Sequence, residues 1–481
     1  TGMYQMASGF HLHRSQRKSG KGSGNIDYYD SYQVPSELVT VPELFKNAGY
    51  YTSNKTKTDY NFIRDDLYDS KNDWSGRAEG QPFFAQFQLN GGKNRRNVKG
   101  VDRNKMEIPP YYVDDEVIRE DWERYLGSWV ETDREIGEIL DRLKREGELE
   151  NTYVFVWTDH GVSHIRGKQF LYDEGSRVPL LVRFPEKAKA GSVRNDLVTH
   201  IDIPVSSLDL AGIAIPNYLH GESIFADDYQ EQDIIFFGRD RCDETVDISR
   251  GLRKGNYKYI RNFLPAVSHM QPSQYKDSKK MVSHSRKLFD AGKLNEIQAR
   301  PFLPSRPIEE LYDLEADPYE LNNLAGSSES ESILIAFREQ LRSWMIDHND
   351  LGLIPEPRLE QLGIQSGAKY YILQQPDYAN LVHDSIAMIE AGERKDQQAL
   401  AEGLHSEFPT IRYWASRAIG EQGIAELKSD VEELIDDSSA SVRIAAAESL
   451  IQLGDMEVGA RSLEAEVYRP HLIAGMYAHR A

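Results

Sequence analysis

Between Trp122 and Leu143 the apolar residues Trp122, Tyr125, Trp129, Ile136, Ile139, Leu140 and Leu143 recur at helical spacing among acids and arginines. That period predicts a long amphipathic helix, closed by Gly147. A shorter helix is predicted over 40–49, TVPELFKNAG, where Thr40 and Glu43 form a capping box, Pro42 sits in the first turn and Gly49 stops the chain. Around these lie apolar runs without clean alternation: YYTS after Gly49, Pro82 to Leu89, YVFVW over 153–157, Val178 to Phe184, and DIIFFG over 233–238. Buried strands separated by helical patterns predict an α/β fold, a mostly parallel sheet sandwiched by helices. Beyond residue 240 the pattern changes. RGLRKGNYKYIRN alternates about a Gly-Asn turn and predicts a small antiparallel sheet, with an amphipathic helix over 331–347 beside it.

Residues 351–377 carry proline and glycine punctuation and read as a connector. After it, TIRYWASRAIGEQG and SVRIAAAESLIQLG superimpose at an offset of 31 residues, matching Ile411 with Val442, Arg412 with Arg443, Ala415 with Ala446, Ile419 with Leu450 and Gly423 with Gly454. A helix, IAELKSDVEELI, fills the interval. Two helices in a period near 30 predict an α-solenoid similar to HEAT repeats. The expected division is 1–238 for the α/β domain, 239–350 for the small-sheet subdomain, 351–377 for the connector and 378–481 for the repeats.

Composition then narrows the functions. The 57 basic and 77 acidic residues give a formal charge of -20, which disfavours nucleic acid and anionic lipid as bulk partners. A local cluster of cations can still hold an anion. Cys242 is the single cysteine, so no intramolecular disulfide forms. No apolar run reaches the roughly 18 residues of a membrane span, and TGMYQMASGFHLHRSQRKSGKGSG holds no signal-peptide core. With no methionine at position 1, the chain is expected to begin inside a longer protein.

Candidate chemistry gathers at strand ends, where ligands bind in parallel α/β sheets. Asp159 and His160 end the YVFVW strand, and Gly161 permits a tight turn. Asp offers oxygen to a hard cation and His offers nitrogen to a borderline one, although Asp is also a common turn former. Lys168 follows in RGKQFLYDEG and suits a substrate oxyanion. Lys57 and Asp59 stand past another strand, and Lys93, Arg95 and Arg96 past a third.

These residues carry a resemblance. TDHGVSHIRGKQFLYDEGSRVPLLVRFP is similar to the metal-and-lysine segment of the formylglycine-dependent sulfatases, in the alkaline-phosphatase superfamily. TGMYQ, TVPELFKNAGYYTSNKTKTDY, PFFAQFQLNGG, RDRCDE, GNYKYIRNFLP and ELYDLEADPYELNNLAG follow the family in order, over about residues 1–350, and members with C-terminal HEAT-like repeats are known. The resemblance implies that Asp159 and His160 ligate a divalent cation, calcium in most members. It implies that Lys168 and Lys57 bind the sulfate, with Asp59, Lys93 and Arg95 also at the site. It also implies a sulfated small molecule or glycan as substrate, a periplasmic or extracellular location, and the solenoid as a surface for a protein partner.

Departures accompany it. Thr56 replaces the family glycine, Asp59 stands where the family has histidine, and Lys93 takes the place of a proton-donating histidine. The Cys-x-Pro-x-Arg motif that yields the formylglycine nucleophile does not occur, nor do the two acidic metal ligands found near the family's N-terminus. The chain is therefore expected to be inactive alone. A phosphatase or phosphodiesterase of the same superfamily, and a non-catalytic binder of sulfated glycans, are the rival readings.

Overall fold

The computed structural model describes residues 2–13, 34–58, 60–62, 64–90, 101–469 and 472–480. Helix α1, Val41–Asn47, starts where the capping box places it: Glu43 accepts from the backbone N–H and the hydroxyl of Thr40, both at 2.8 Å. Its Val41 and Phe45 pack with Leu208, and the Phe45 ring stacks on Phe84 at 4.2 Å. This holds α1 over a parallel pair, β1 (Tyr51–Lys55) and β2 (Phe83–Phe87), with Tyr51 opposite Phe83 and Lys55 opposite Phe87. Helix α2 runs over Glu116–Arg145, earlier than its apolar stripe begins, because the Asp115 carboxylate caps the N–H groups of Val117 and Ile118 at 3.0 Å.

The next strands correct the sequence reading. β3 (Val154–Trp157) and β4 (Leu180–Arg183) pair antiparallel, with Val154 opposite Arg183 and Trp157 opposite Leu180. A parallel return needs a crossover, normally a full helix, and the intervening stretch holds only the one-turn helix Asp173–Ser176. The pair is also half-buried rather than buried, with the Leu181 side of β4 turned outward at 62% exposure. Residues 233–238 likewise leave the parallel sheet. β5 (Ile234–Arg239) is the first strand of a four-stranded antiparallel sheet with β6 (Ser249–Lys254), β7 (Tyr257–Asn262) and β8 (Glu309–Asp313), so that sheet starts upstream of residue 239. Among the described residues, parallel pairing is confined to β1 and β2.

The stretch read as a connector is a buried helical segment. Helix α4, Glu356–Ser366, follows helix α3, Glu331–Asp347, and buries Leu359 and Leu362 in the largest core cluster together with Leu351, Leu353, Ile372 and Leu373. Pro355 and Pro357 lie at the start of this helix instead of breaking it, and Gly367 closes it at φ 81°. Buried ion pairs clamp the segment to the small sheet. Arg241 is bidentate to Glu356 at 2.5 and 2.9 Å, and Arg250 to Asp350 at 2.5 and 2.8 Å.

The C-terminal region is the expected α-solenoid. Helices α5 (Leu381–Glu393), α6 (Gln397–Leu404), α7 (Pro409–Gln422), α8 (Ala440–Gln452) and α9 (Met456–Val467) stack in order. The repeated arginines have one job. Arg412 grips Asp437 at 2.8 and 2.9 Å, and Arg443 grips Glu466 at 2.6 and 2.9 Å, each tying a repeat helix to the segment after it. The interval between α7 and α8 is less regular than predicted, one short helix flanked by 3₁₀ turns.

Candidate functional site

β3 delivers Thr158, Asp159 and His160 into a turn that runs back to β4. His200 anchors its start, Nε2 lying 2.8 Å from the Thr158 carbonyl oxygen. Further along, buried His164 meets Asp121 of α2 at 2.7 Å. Arg166 donates to the carbonyl oxygens of Tyr319 and Glu320 at 3.2 and 3.1 Å, and its guanidinium stacks on Tyr111 and Tyr172. Three glycines let the turn close. A Cβ on Gly161 would lie 1.8 Å from the Glu174 carbonyl oxygen, and one on Gly167 equally close to that of Val162, while Gly175 fits beneath both. The Gly161 N–H donates to the Gly175 oxygen at 2.9 Å.

This frame presents Asp159, His160 and Lys168 together. The Asp159 side chain is 83% exposed, and its Oδ2 lies 3.4 Å from His160 Nε2. His160 Nδ1 is 2.8 Å from the Gly161 carbonyl oxygen, which can only accept, so the proton sits on Nδ1 and the Nε2 lone pair faces the carboxylate. Burial lowers the His160 pKa; Asp159 opposes that shift, and the ammonium of Lys168 adds to it. A neutral imidazole lone pair and a carboxylate converging at this spacing, with the second ring nitrogen tied to a carbonyl, could act as donors to a cation. They supply two donors. Among the described residues no third imidazole, thiolate or carboxylate joins them.

Sequence reasoning missed one neighbour of Lys168. The Tyr275 ring lies 4.9 Å beneath the Lys168 ammonium and 4.0 Å from that of Lys279, and its hydroxyl is 2.9 Å from Ser163. Burial pushes this phenol up, but the Ser163 hydrogen bond and the two ammonium groups outweigh it and bring it below its ordinary pKa. A lone tyrosine in SQYKDSKK carries no motif, so only the fold could reveal it.

Lys57 stands at a separate strand end. Thr56 before it has φ 84°, left-handed backbone that favours glycine and strains a β-branched residue. The Lys57 carbonyl oxygen accepts from Asn54 at 3.1 Å and from Gln88, which ties this turn to the ends of β1 and β2. Asp59, Lys93 and Arg95 lie outside the described residues.

The α/β frame with a small antiparallel sheet is an alkaline-phosphatase-like fold. The comparisons with known proteins agree. The sulfatase model matches residues 59–213, the model for the C-terminal part of N-sulphoglucosamine sulphohydrolase matches 160–300, and HEAT repeats match 398–465. An ulvan-active sulfatase of Formosa agariphila is 29% identical over 75% of this chain and 67% of its own length. An N-acetylglucosamine-6-O-sulfatase of Bacteroides thetaiotaomicron is 28% identical over 43% of this chain and 32% of its own. The chain thus spans from about a third to two thirds of these relatives. A solved phosphonate monoester hydrolase of Agrobacterium radiobacter shares the fold at TM-score 0.50 and 14% identity, covering 74% of this chain and 86% of that one. A solved Bacteroides thetaiotaomicron sulfatase associated with glycosaminoglycan metabolism does so at TM-score 0.50 and 17% identity, over 75% and 85%. Over residues 59–300 this chain is thus similar to the sulfatase family.

No helix among the described residues is long and apolar enough to cross a membrane.

Proposed function

We propose that the protein hydrolyses sulfate esters or sulfamates, and that this chain supplies the cation-and-lysine half of the site. The observation that carries the reading is the turn that unites Asp159, His160 and Lys168, with its lone pair aimed at the carboxylate. Asp159 and His160 would hold a divalent cation of the calcium type, which when bound supplies positive charge to sulfate oxygens. Lys168, seated on Tyr275, offers its ammonium to an oxygen of the same sulfate, and Lys57 offers a second charge from the end of β1. The Tyr275 phenol lies where it can donate a hydrogen bond toward that anion. Sulfated glycans are the proposed substrates, in keeping with the relative named for ulvan and the one named for 6-O-sulfated N-acetylglucosamine. A periplasmic or extracellular location goes with such substrates.

The sequence contains no Cys-x-Pro-x-Arg, so the chain as given is expected to turn over no aryl sulfate. Its half-site is nonetheless expected to bind. Calorimetric titration with sodium sulfate in calcium buffer should give binding that weakens at least tenfold in Lys168→Ala and in Asp159→Ala. Sulfate binding indifferent to both substitutions defeats the proposal. Aryl sulfate turnover that disappears in Lys168→Ala would refute the inactivity.

A further inference from the structure

A second cluster of metal-ligating side chains shares no residue with the Asp159–His160 pair. Its three residues come from two distant stretches of chain: His13 from the N-terminal segment, and Cys242 and Asp243 from the loop after β5. Cys242 Sγ is 3.4 Å from His13 Nδ1, and the same Nδ1 is 3.2 Å from Asp243 Oδ1. All three donor atoms fall within 4.8 Å of one another.

These spacings match a particular ion. Zinc binds nitrogen and oxygen at about 2.0 Å and thiolate sulfur at about 2.3 Å in tetrahedral geometry, which sets sulfur–nitrogen and nitrogen–oxygen edges near ~3.5 and ~3.3 Å. Two edges of one face of that tetrahedron are therefore already at its spacing, and the third pair, sulfur and oxygen, lies within 4.8 Å. A soft sulfur, a borderline nitrogen and a hard oxygen also suit zinc or cobalt(II) better than calcium or magnesium, whose ligands are oxygens. We propose that His13, Cys242 and Asp243 form a three-ligand site for a zinc-class divalent cation, with the fourth position left to water or another oxygen donor.

The backbone holds the ligands in place. His13 and Cys242 form a parallel bridge, the His13 N–H donates to the Arg241 carbonyl oxygen at 3.2 Å, and Arg241 Nη1 donates back to the His13 oxygen at 3.1 Å. The Arg241 charge is engaged by Glu356 in a buried bidentate pair, which spares the ligands a close unpaired cation. Gln169 Nε2 lies 3.0 Å from the sulfur and can donate to a thiolate. Gln169 directly follows Lys168, so a bound ion would join the N-terminal segment, the Lys168 turn and the loop after β5. Binding replaces the proton on Sγ and the proton that His13 Nδ1 holds toward Asp243 with metal bonds, and releases both to solvent.

The test is a cobalt(II) chloride titration of the whole chain after chelator treatment. One equivalent should produce a near-ultraviolet thiolate-to-cobalt band and the visible bands of tetrahedral cobalt, and zinc chloride should abolish both. Cys242→Ser should lose the near-ultraviolet band, and His13→Ala and Asp243→Asn should each weaken binding at least tenfold. Asp159→Ala should leave the bands unchanged, and excess calcium should not displace cobalt. Zinc should raise the melting temperature of the unsubstituted chain but not of Cys242→Ser, with circular dichroism checking that each variant folds. No thiolate band in the unsubstituted chain, or a band of full strength in both His13→Ala and Asp243→Asn, overturns the site.

Discussion

Thr56 and Glu174 show how single residues tune this protein. Thr56 holds a left-handed backbone that a β-branched residue adopts only under strain. Thr56→Gly is therefore expected to stabilise the chain by about 1 kcal/mol in urea unfolding, and an unchanged or lowered midpoint would argue against strain there. Glu174 is half-buried with Tyr112 donating to it at 2.6 Å, and desolvation of its carboxyl raises it to about 7. The sign follows from linkage. Between the unfolded carboxyl value and pH 7 the unfolded chain gives up this proton first, so stability falls as pH rises through that window and levels off above it. Glu174→Gln should thus gain on the natural chain by on the order of 3 kcal/mol at pH 8 and lose that gain below pH ~4.5. Urea unfolding at both pH values measures it, and a pH-independent difference would show that the carboxyl is ionised in the fold.

At the scale of elements, the turn from β3 to β4 is where the proposed site is made. It works because backbone meets backbone at Gly161, Gly167 and Gly175. Gly161→Ala drives a Cβ into the Glu174 carbonyl and is expected to cost about 3 kcal/mol, with loss of calcium-dependent sulfate binding in the same variant. Retained binding at full stability would mean the turn relaxes freely. Much of this element was legible beforehand. The structure gathers Asp159, His160 and Lys168 on the turn after the strand end that the sequence pattern marks, because a strand end followed by glycine is a local signal. The direction of β4 was not legible, since apolar content tells that a strand is present and nothing about which neighbour it meets. Tyr275 was equally hidden, for its role depends on two lysines and a serine brought together by the fold.

Across the whole molecule, the solenoid is packed into the rest of the chain. Trp414 of α7 is buried and donates through Nε1 to the Leu353 carbonyl oxygen at 2.9 Å, and Tyr477 donates to Glu356 at the same distance. One core cluster contains Leu252 and Leu311 of the small sheet, Leu359 of α4, and Trp414 and Val442 of the repeats. Trp414→Ala should therefore cost about 3–5 kcal/mol and shift a single calorimetric transition as a whole. A solenoid that melts separately, with the remaining transition unmoved, would contradict this coupling.

The sequence by itself determined the elements whose causes are local or periodic: the capped helix at Thr40, the amphipathic α2, the repeat of Arg412 and Arg443, and the acid–histidine–glycine corner. Only the tertiary structure decided what depends on partners far along the chain. It turned residues 351–377 from a connector into a buried helix, because glycine and proline mark a helix end and a loop alike until the apolar face finds a core. It moved residues 234–239 into the antiparallel sheet, because pairing is a property of two strands. It also set His13 beside Cys242 and Asp243 across more than two hundred residues of chain, a proximity that no periodicity could announce.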